Sequence, residues 1–167
     1  MPTELRIDEI LRVLVRNEVE LIVVGGVAAI LQGSPLTTED LDVLYLSTEE
    51  NHLRLARALK ELEAVYLDPA GRRIEPDAPR LASLKIHLLK TRHGRLDVLR
   101  SVGKGLAYQD LLASSRQLEV AELRVRVLDL EAIIETKEQA GRPKDRFQLP
   151  FLHQLLAEIR RLQAEEG

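Results

Sequence analysis

The sequence predicts a mixed α/β (α+β) fold, in which a central mixed sheet of about five strands is flanked by helices. Short runs of branched apolar residues alternate along the chain with stretches whose apolar residues recur every three or four positions. The first apolar run, Leu21–Val24, ends at the glycine pair Gly25 and Gly26, which is typical of a tight strand-to-helix turn. Because 167 residues suit one domain, we expect a single domain over residues 1–167, with C-terminal helices from about residue 129.

The composition argues against several classes of function. Aromatic residues make up only 3% of the chain, so stacking of bases on aromatic side chains is not expected. The net charge of -3 argues against a non-specific nucleic-acid coat, and the lack of cysteine excludes disulfides and cysteine-zinc sites. The longest apolar run is too short to span a bilayer and no secretory leader is visible, so we expect a cytoplasmic protein without a membrane partner.

In the first half of the chain, the pattern predicts helices and strands in alternation. Helices are expected at residues 3–15, 27–32 and about 48–62, and strands at residues 21–24 and 40–46. Thr3 or Asp8 is available to cap the first helix, and Ser47 or Thr48 the third. The run 21–24 has no polar position, which is typical of a strand covered on both faces.

The second half predicts two hairpins and the C-terminal helices. Strands are expected at residues 65–67, 84–89, 96–99, 118–120 and 125–128, and helices at residues 108–115, 129–140 and from 143 to the charged tail. The first hairpin would turn at His93 and Gly94, and the second would lie at an edge of the sheet. Asp129 is expected to cap the helix that follows it, and residues 68–79 to form a loop.

Two aspartates stand one residue apart at the start of the second strand. Because side chains alternate along a strand, Asp40 and Asp42 should point to one face, where their charges repel. Mg²⁺, which prefers oxygen ligands, would compensate, and Asp97 on a neighbouring strand would complete a site for two ions. Two alternatives stay open: the pair caps the preceding turn, or Asp97 is a solvated charge that discourages aggregation.

These motifs together resemble the nucleotidyltransferase superfamily, which includes DNA polymerase beta and the aminoglycoside nucleotidyltransferases. The resemblance rests on residues 23–26, 33–42 and 95–99, and on a late lysine followed by an Arg-Pro-Lys-Asp turn at residues 142–145. Within the superfamily, the chain looks like small bacterial proteins related to the abortive-infection and type IV toxin group. The resemblance covers about residues 18–157. It implies a nucleotidyltransferase-like fold and Mg²⁺- or Mn²⁺-dependent transfer of a nucleoside monophosphate from an NTP to a hydroxyl acceptor.

The resemblance also implies roles for individual residues. Asp40, Asp42 and Asp97 would be the catalytic residues and metal ligands, with Asp97 accepting the proton of the attacking hydroxyl. The residues implied in nucleotide binding are Gly25, Gly26, Ser34, Thr38, Lys137 and Lys144. The glycines would present backbone N–H groups to the phosphates. A solvated helix face explains either lysine equally well, and Asp145 caps the last helix or pairs with Arg142.

Two departures from the superfamily pattern keep a second function open. Leu36 stands where relatives often carry an arginine, and the chain ends at Gly167 without a large C-terminal substrate domain. The alternative is a non-catalytic module that binds a nucleotide or a partner, including one half of a toxin-antitoxin pair with a small helical partner protein. For an enzyme, the acceptor is left open among a small molecule, a protein and an RNA end.

Overall fold

The structure, a computed structural model, describes residues 3–167 as a seven-stranded mixed sheet with helices on both faces and a separate two-stranded ribbon. The helices are α1 (Ile7–Arg16), α2 (Gly25–Ile30), α3 (Glu49–Glu61), α4 (Ala78–Ser83), α5 (Tyr108–Leu111), α6 (Leu130–Ala140) and α7 (Pro143–Glu166). The strands are β1 (Leu21–Val24), β2 (Asp40–Tyr45), β3 (Val65–Tyr66), β4 (Ile86–Thr91), β5 (Gly94–Leu99), β6 (Ser101–Val102), β7 (Leu106–Ala107), β8 (Ser115–Val120) and β9 (Leu123–Leu128).

The sheet has more strands than the sequence predicted. Its order is β3-β4-β5-β2-β1-β9-β8, so the expectation of about five strands is wrong. The second hairpin is the reason, because it joins the main sheet through a parallel pairing of Val23 on β1 with Val127 on β9. Of the two strands of this hairpin, only β8 lies at an edge of the sheet. β9 is an interior strand, which explains why Val125 and Val127 are buried.

The two faces of the sheet carry different helices. Tyr45 points to the face covered by α3 and α4, where its hydroxyl donates to the Leu81 carbonyl of α4 (2.8 Å) and its ring packs edge-on against His52 of α3. α1 contacts α3 and belongs to the same layer. The opposite face, which we call the site face, carries Asp40 and Asp42 together with α2, α6 and α7, which contact one another in sequence. The site face is therefore framed by helices from two distant parts of the chain.

The beginnings of the first two helices differ from the prediction. α1 begins at Ile7, after Arg6 and without a side-chain cap, so capping by Thr3 or Asp8 is wrong. α2 begins at the glycine pair itself, two residues earlier than predicted, and ends at Ile30. The glycines thus belong to the helix and stand directly above the start of β2.

Two other predicted caps have different outcomes. Thr48 caps α3 as predicted, because its side chain accepts a hydrogen bond from the Asn51 amide. Asp129 occupies the residue before α6, but its carboxylate forms an ion pair with Arg116 (3.1 Å) and makes no capping hydrogen bond.

The first hairpin is tighter than predicted. β4 extends to Thr91 and β5 begins at Gly94, which leaves a turn of Arg92 and His93 and places Gly94 inside the strand. The longer pairing matters for the site because it sets the register of β5. Within residues 3–167, none of the helices has the length and apolar character needed to cross a bilayer.

Candidate active site

The register between β2 and β5 brings the three aspartates together. The strands are parallel, with Asp42 opposite Asp97 and Asp40 opposite Arg95. Paired residues of neighbouring strands point to the same face, so all four side chains lie on the site face. Each aspartate offers one carboxylate oxygen, and these oxygens all lie within 4.8 Å of one another. Three carboxylates at this spacing form a ready set of oxygen ligands.

The electrostatics of the cluster favour a bound cation. Burial, followed by the charges of Asp40 and Asp97, raises the pKa of Asp42 to about 8. Burial and the hydrogen bond with Asp40 raise the pKa of Asp97 to about 6. Arg95 offsets part of the repulsion, since its guanidinium lies 3.2 Å from Asp97 and 3.9 Å from Asp40. An all-oxygen donor set with excess negative charge fits Mg²⁺ or Mn²⁺.

Gly25 lies directly against Asp42. Its φ of +66° is in the left-handed region, and a Cβ built there would stand 2.2 Å from Asp42 Oδ2. A Cβ on Gly26 would meet Thr38 Oγ1 at 3.0 Å. Both glycines therefore let α2 approach the β2 carboxylates closely. The implied role of their N–H groups at a phosphate stays a prediction.

The loop between α2 and β2 supplies the other two predicted nucleotide-binding residues. Thr38 Oγ1 donates towards the backbone and carboxylate oxygens of Asp40 (3.1 and 3.2 Å). Ser34 is buried, and its Oγ accepts a hydrogen bond from the Leu36 amide (3.2 Å). Both residues line a cleft of about 120 Å³ together with the three aspartates. That volume suits a phosphate group and its ions, whereas pockets for whole small molecules are typically about 300–1,000 Å³.

Cationic side chains from the C-terminal helices form the opposite wall of the cleft. Lys137, Arg142 and Lys144 all line it. Lys137 is buried and donates to Gln148 Oε1 (2.7 Å) of α7, so a solvated helix face does not explain this lysine. Lys144 is exposed, and its positive charge lowers the pKa of Asp42 against the larger effects that raise it.

Asp145 holds this cationic wall in place. Its side chain is fully buried, receives hydrogen bonds from Arg142 N (3.2 Å) and Nε (2.7 Å), and lies 3.5 Å from Lys137 Nζ. Burial by itself would raise the pKa of Asp145, but the hydrogen bonds from Arg142 outweigh burial and hold it below its usual value. The two expectations for Asp145, a cap of the last helix and a partner of Arg142, are thus both confirmed.

Replacing Asp145 by asparagine is expected to destabilise the protein by about 3 kcal/mol, because it leaves Lys137 buried without its counter-charge. Urea unfolding measures the change. Glu131→Gln is the matched control, since it breaks the exposed ion pair with Arg160 and should cost less than about 1 kcal/mol. Equal effects of the two substitutions would contradict the positioning role of Asp145.

Two cationic residues of the site, Arg95 and Arg142, were not predicted from the sequence. Arg95 stands two residues before Asp97, so strand alternation alone places both on one face, and this signal was available. Arg142 was noticed only as a partner of Asp145, whereas the structure also places it in the cleft. Gln148 lines the cleft from α7, and nothing in the sequence pattern distinguished it.

The model of the aminoglycoside-2''-adenylyltransferase family matches residues 6–152. The chain belongs to this family. It is thereby a member of the nucleotidyltransferase superfamily that the motifs predicted. The likeness to the toxin group stays a prediction. No sequence among the curated proteins matches the chain.

Solved structures share the fold of this aminoglycoside-2''-adenylyltransferase family member. A protein from Thermotoga maritima described as a nucleotidyltransferase is 19% identical, with a TM-score of 0.52 and 98% of each chain covered. ANT(2'')-Ia, solved with adenylyl-2''-tobramycin, is 14% identical, with a TM-score of 0.56 and coverage of 96% of this chain and 97% of that one. The lincosamide adenylyltransferase LnuA, solved with lincomycin, is 13% identical, with a TM-score of 0.60 and coverage of 92% and 99%.

Proposed function

We propose that the protein is a Mg²⁺- or Mn²⁺-dependent nucleotidyltransferase that moves a nucleoside monophosphate from an NTP to a hydroxyl acceptor. The observation that carries the proposal is the cleft itself. It combines three carboxylates within 4.8 Å of one another with three cationic side chains on the opposite wall. Membership of an adenylyltransferase family supports transfer of this kind.

The residues of the cleft would contribute to catalysis in two ways, by charge neutralisation and by positioning of the substrates. Asp40, Asp42 and Asp97 would hold the divalent ion, which supplies charge neutralisation at the phosphate and favours ionisation of the attacking hydroxyl. Lys144 and Arg142 face the carboxylates across the cleft and bind the β- and γ-phosphates. Phosphoryl-type transfer needs little covalent participation by the protein, so correct placement accounts for most of the acceleration.

Asp97 is the residue best placed to accept a proton. In the proposed reaction the acceptor oxygen forms a bond to the α-phosphorus, the bond to the oxygen bridging to the β-phosphorus breaks, and pyrophosphate leaves. The hydroxyl proton passes to the carboxylate of Asp97. Asp97 is 13% exposed and lies on the outer of the two carboxylate-bearing strands, where an acceptor can reach it.

The second candidate, a module that binds a nucleotide without turnover, is favoured by Leu36. This residue lines the cleft where relatives often carry an arginine, so one phosphate partner is missing. The cations of α6 and α7 stand in the same cleft and offset that loss, which is why we prefer the enzyme. Calorimetry with NTP and Mg²⁺ distinguishes the two, since binding without turnover would support the module.

The test of the enzyme is transfer of label from each NTP to a panel of hydroxyl acceptors with Mg²⁺ or Mn²⁺ present. We expect pyrophosphate release that requires both an acceptor and a divalent ion. The release should fall at least about 100-fold in Asp97→Asn, the change expected when several kcal/mol of transition-state stabilisation are lost. Glu39→Gln, which removes an exposed carboxylate one residue before Asp40, should leave the rate unchanged. Failure of every NTP and acceptor would end the proposal.

A further inference from the structure

A second cavity opens at the end of the β4–β5 hairpin, on the far side of the aspartates from α7. It encloses about 580 Å³, a size typical of small-molecule pockets. Val65, Leu67 and Lys90 line it together with Arg95, whose guanidinium also contacts Asp97 and Asp40. Val65 pairs with Lys90 and Lys90 pairs with Arg95, so these side chains share the face of the aspartates. We call this cavity the β4 groove.

The β4 groove has an apolar floor and a strongly basic rim. Val65 and Leu67 supply apolar surface, and the cationic side chains that line it are Arg73, Lys90, Arg92 and Arg95. Glu63 is the one carboxylate among the described residues that line it. Lys90 and Arg92 are exposed. Such a surface attracts an anionic group and repels a polycation.

Arg95 connects the groove to the reacting atoms. Its Nε is buried and has no hydrogen-bond partner anywhere in the described part of the chain. The side chain of Arg95 is nevertheless 39% exposed, so other parts of it are accessible from the groove. Lys90 stands opposite Arg95 on the next strand, about 5 Å away in backbone spacing. A molecule held by Lys90 and Arg95 therefore lies beside Asp97.

The in-line geometry of the proposed reaction indicates which substrate the β4 groove would bind. Lys137, Arg142 and Lys144 mark the side of the aspartates where the leaving phosphates bind. In phosphoryl transfer the attacking and leaving oxygens are roughly in line, so the acceptor approaches from the opposite side. The side of the aspartates opposite the cationic wall is formed by β5 and β4. On β4, Leu88 is 43% exposed opposite Asp97, so helices leave this part of the face open.

We propose that the β4 groove binds the acceptor, and that the acceptor is a hydroxyl-bearing small molecule with a carboxylate or phosphate group. The inference rests on the proposed nucleotidyl transfer. An anionic acceptor would differ from the antibiotic of the relative solved with tobramycin. Tobramycin would place several ammonium groups against the basic rim of the groove. Lys90 and Arg92 are assigned to the anionic group, and the apolar floor to the carbon skeleton.

Calorimetry tests the groove without relying on activity. The protein is first saturated with Mg²⁺ and a non-hydrolysable ATP analogue, so that the cleft is filled. Gluconate, ribose 5-phosphate, uncharged ribose and tobramycin are then titrated, which separates carboxylate from phosphate recognition. We expect an anionic probe to bind and tobramycin not to bind. The double variant Lys90→Ala/Arg92→Ala should weaken anion binding roughly 10–100-fold, a total of about 1.4–2.7 kcal/mol for the two lost ionic contacts.

Arg124→Ala is the matched control, because this exposed arginine lies on β9, four strand spacings or roughly 19 Å from β4. It should bind the anionic probes as the wild type does. Tighter binding of tobramycin, absence of anion binding, or anion binding unchanged in the double variant would each overturn the groove assignment. If the analogue does not bind but the double variant still loses the anionic probe, the groove stands and the proposed transfer reaction fails.

Discussion

Replacing Asp42 by asparagine is expected to stabilise the metal-free protein at pH 8 while abolishing its response to metal and its activity. Because the pKa of Asp42 in the fold is about 8, well above the usual 3.8, folding favours the protonated carboxyl. The contribution of Asp42 to the free energy of unfolding is therefore greatest below about pH 4, and it falls as the pH rises from about 4 to about 8. The asparagine variant has no titrating carboxyl at this position, so it does not lose stability for this reason as the pH rises.

The expected difference between the two proteins grows with pH, from about 1–2 kcal/mol at pH 5 to several kcal/mol at pH 8. Each kcal/mol corresponds to about 2–4 °C in melting temperature for a domain of this size. Melting curves with a chelator measure it. Mg²⁺ or Mn²⁺ should raise the melting temperature of the wild type, more at pH 8 than at pH 6 because metal and protons compete for the carboxylates. The variant should show no such rise.

Glu39→Gln is again the control, since it also removes one negative charge but from an exposed side chain outside the cluster. This variant should have the same melting temperature as the wild type, both with and without metal. If the aspartates are instead caps or ion-pair partners, Asp42→Asn would lower the metal-free melting temperature, by about 1 kcal/mol in stability. That result beside a wild type indifferent to metal would end the assignment of a metal-binding active site.

Gly25→Ala is expected to reduce transferase activity about 100-fold with only a modest loss of stability. The left-handed backbone at Gly25 costs alanine about 1 kcal/mol. The new methyl group would also stand 2.2 Å from Asp42 Oδ2, so the carboxylate has to move. A displacement of about 1 Å at a reacting centre can cost 100-fold in rate. Steady-state kinetics and urea unfolding measure the two effects separately.

The variant Gly71→Ala measures how much stability is lost through backbone strain alone. Gly71 has a φ of +73°, close to that of Gly25, but nothing lies within 4 Å of a Cβ built there. The control should lose about the same stability from strain and keep full activity. The double variant Gly25→Ala/Asp42→Asn should be no less active than Asp42→Asn alone, because both changes act on one carboxylate. Full activity in Gly25→Ala would show that Asp42 does not need its observed position.

Local pattern was enough to predict most elements that carry the site. The continuous apolar run of β1 and the alternation of aspartate with Leu41 and Val43 in β2 reflect burial on one or both faces, which the sequence records directly. The edge hairpin was the main failure. β8 and β9 were predicted as an edge hairpin, but no local signal shows that Val127 pairs with β1 across more than a hundred residues. Strand order is set by the packing of the whole chain, so the number of strands in the main sheet was underestimated.

The sequence alone was enough to predict which groups form the candidate site: two aspartates of one strand face, a third on a later strand, a glycine pair before them and a lysine-bearing C-terminal motif. How these groups come together depends on the tertiary structure. The register of β2 against β5 places Asp42 opposite Asp97 and Asp40 opposite Arg95, and α6 and α7 bring Lys137, Arg142 and Lys144 to the same cleft. Residue types follow from local chemistry, but distances between separate segments follow from packing of the core, which no single stretch of sequence encodes.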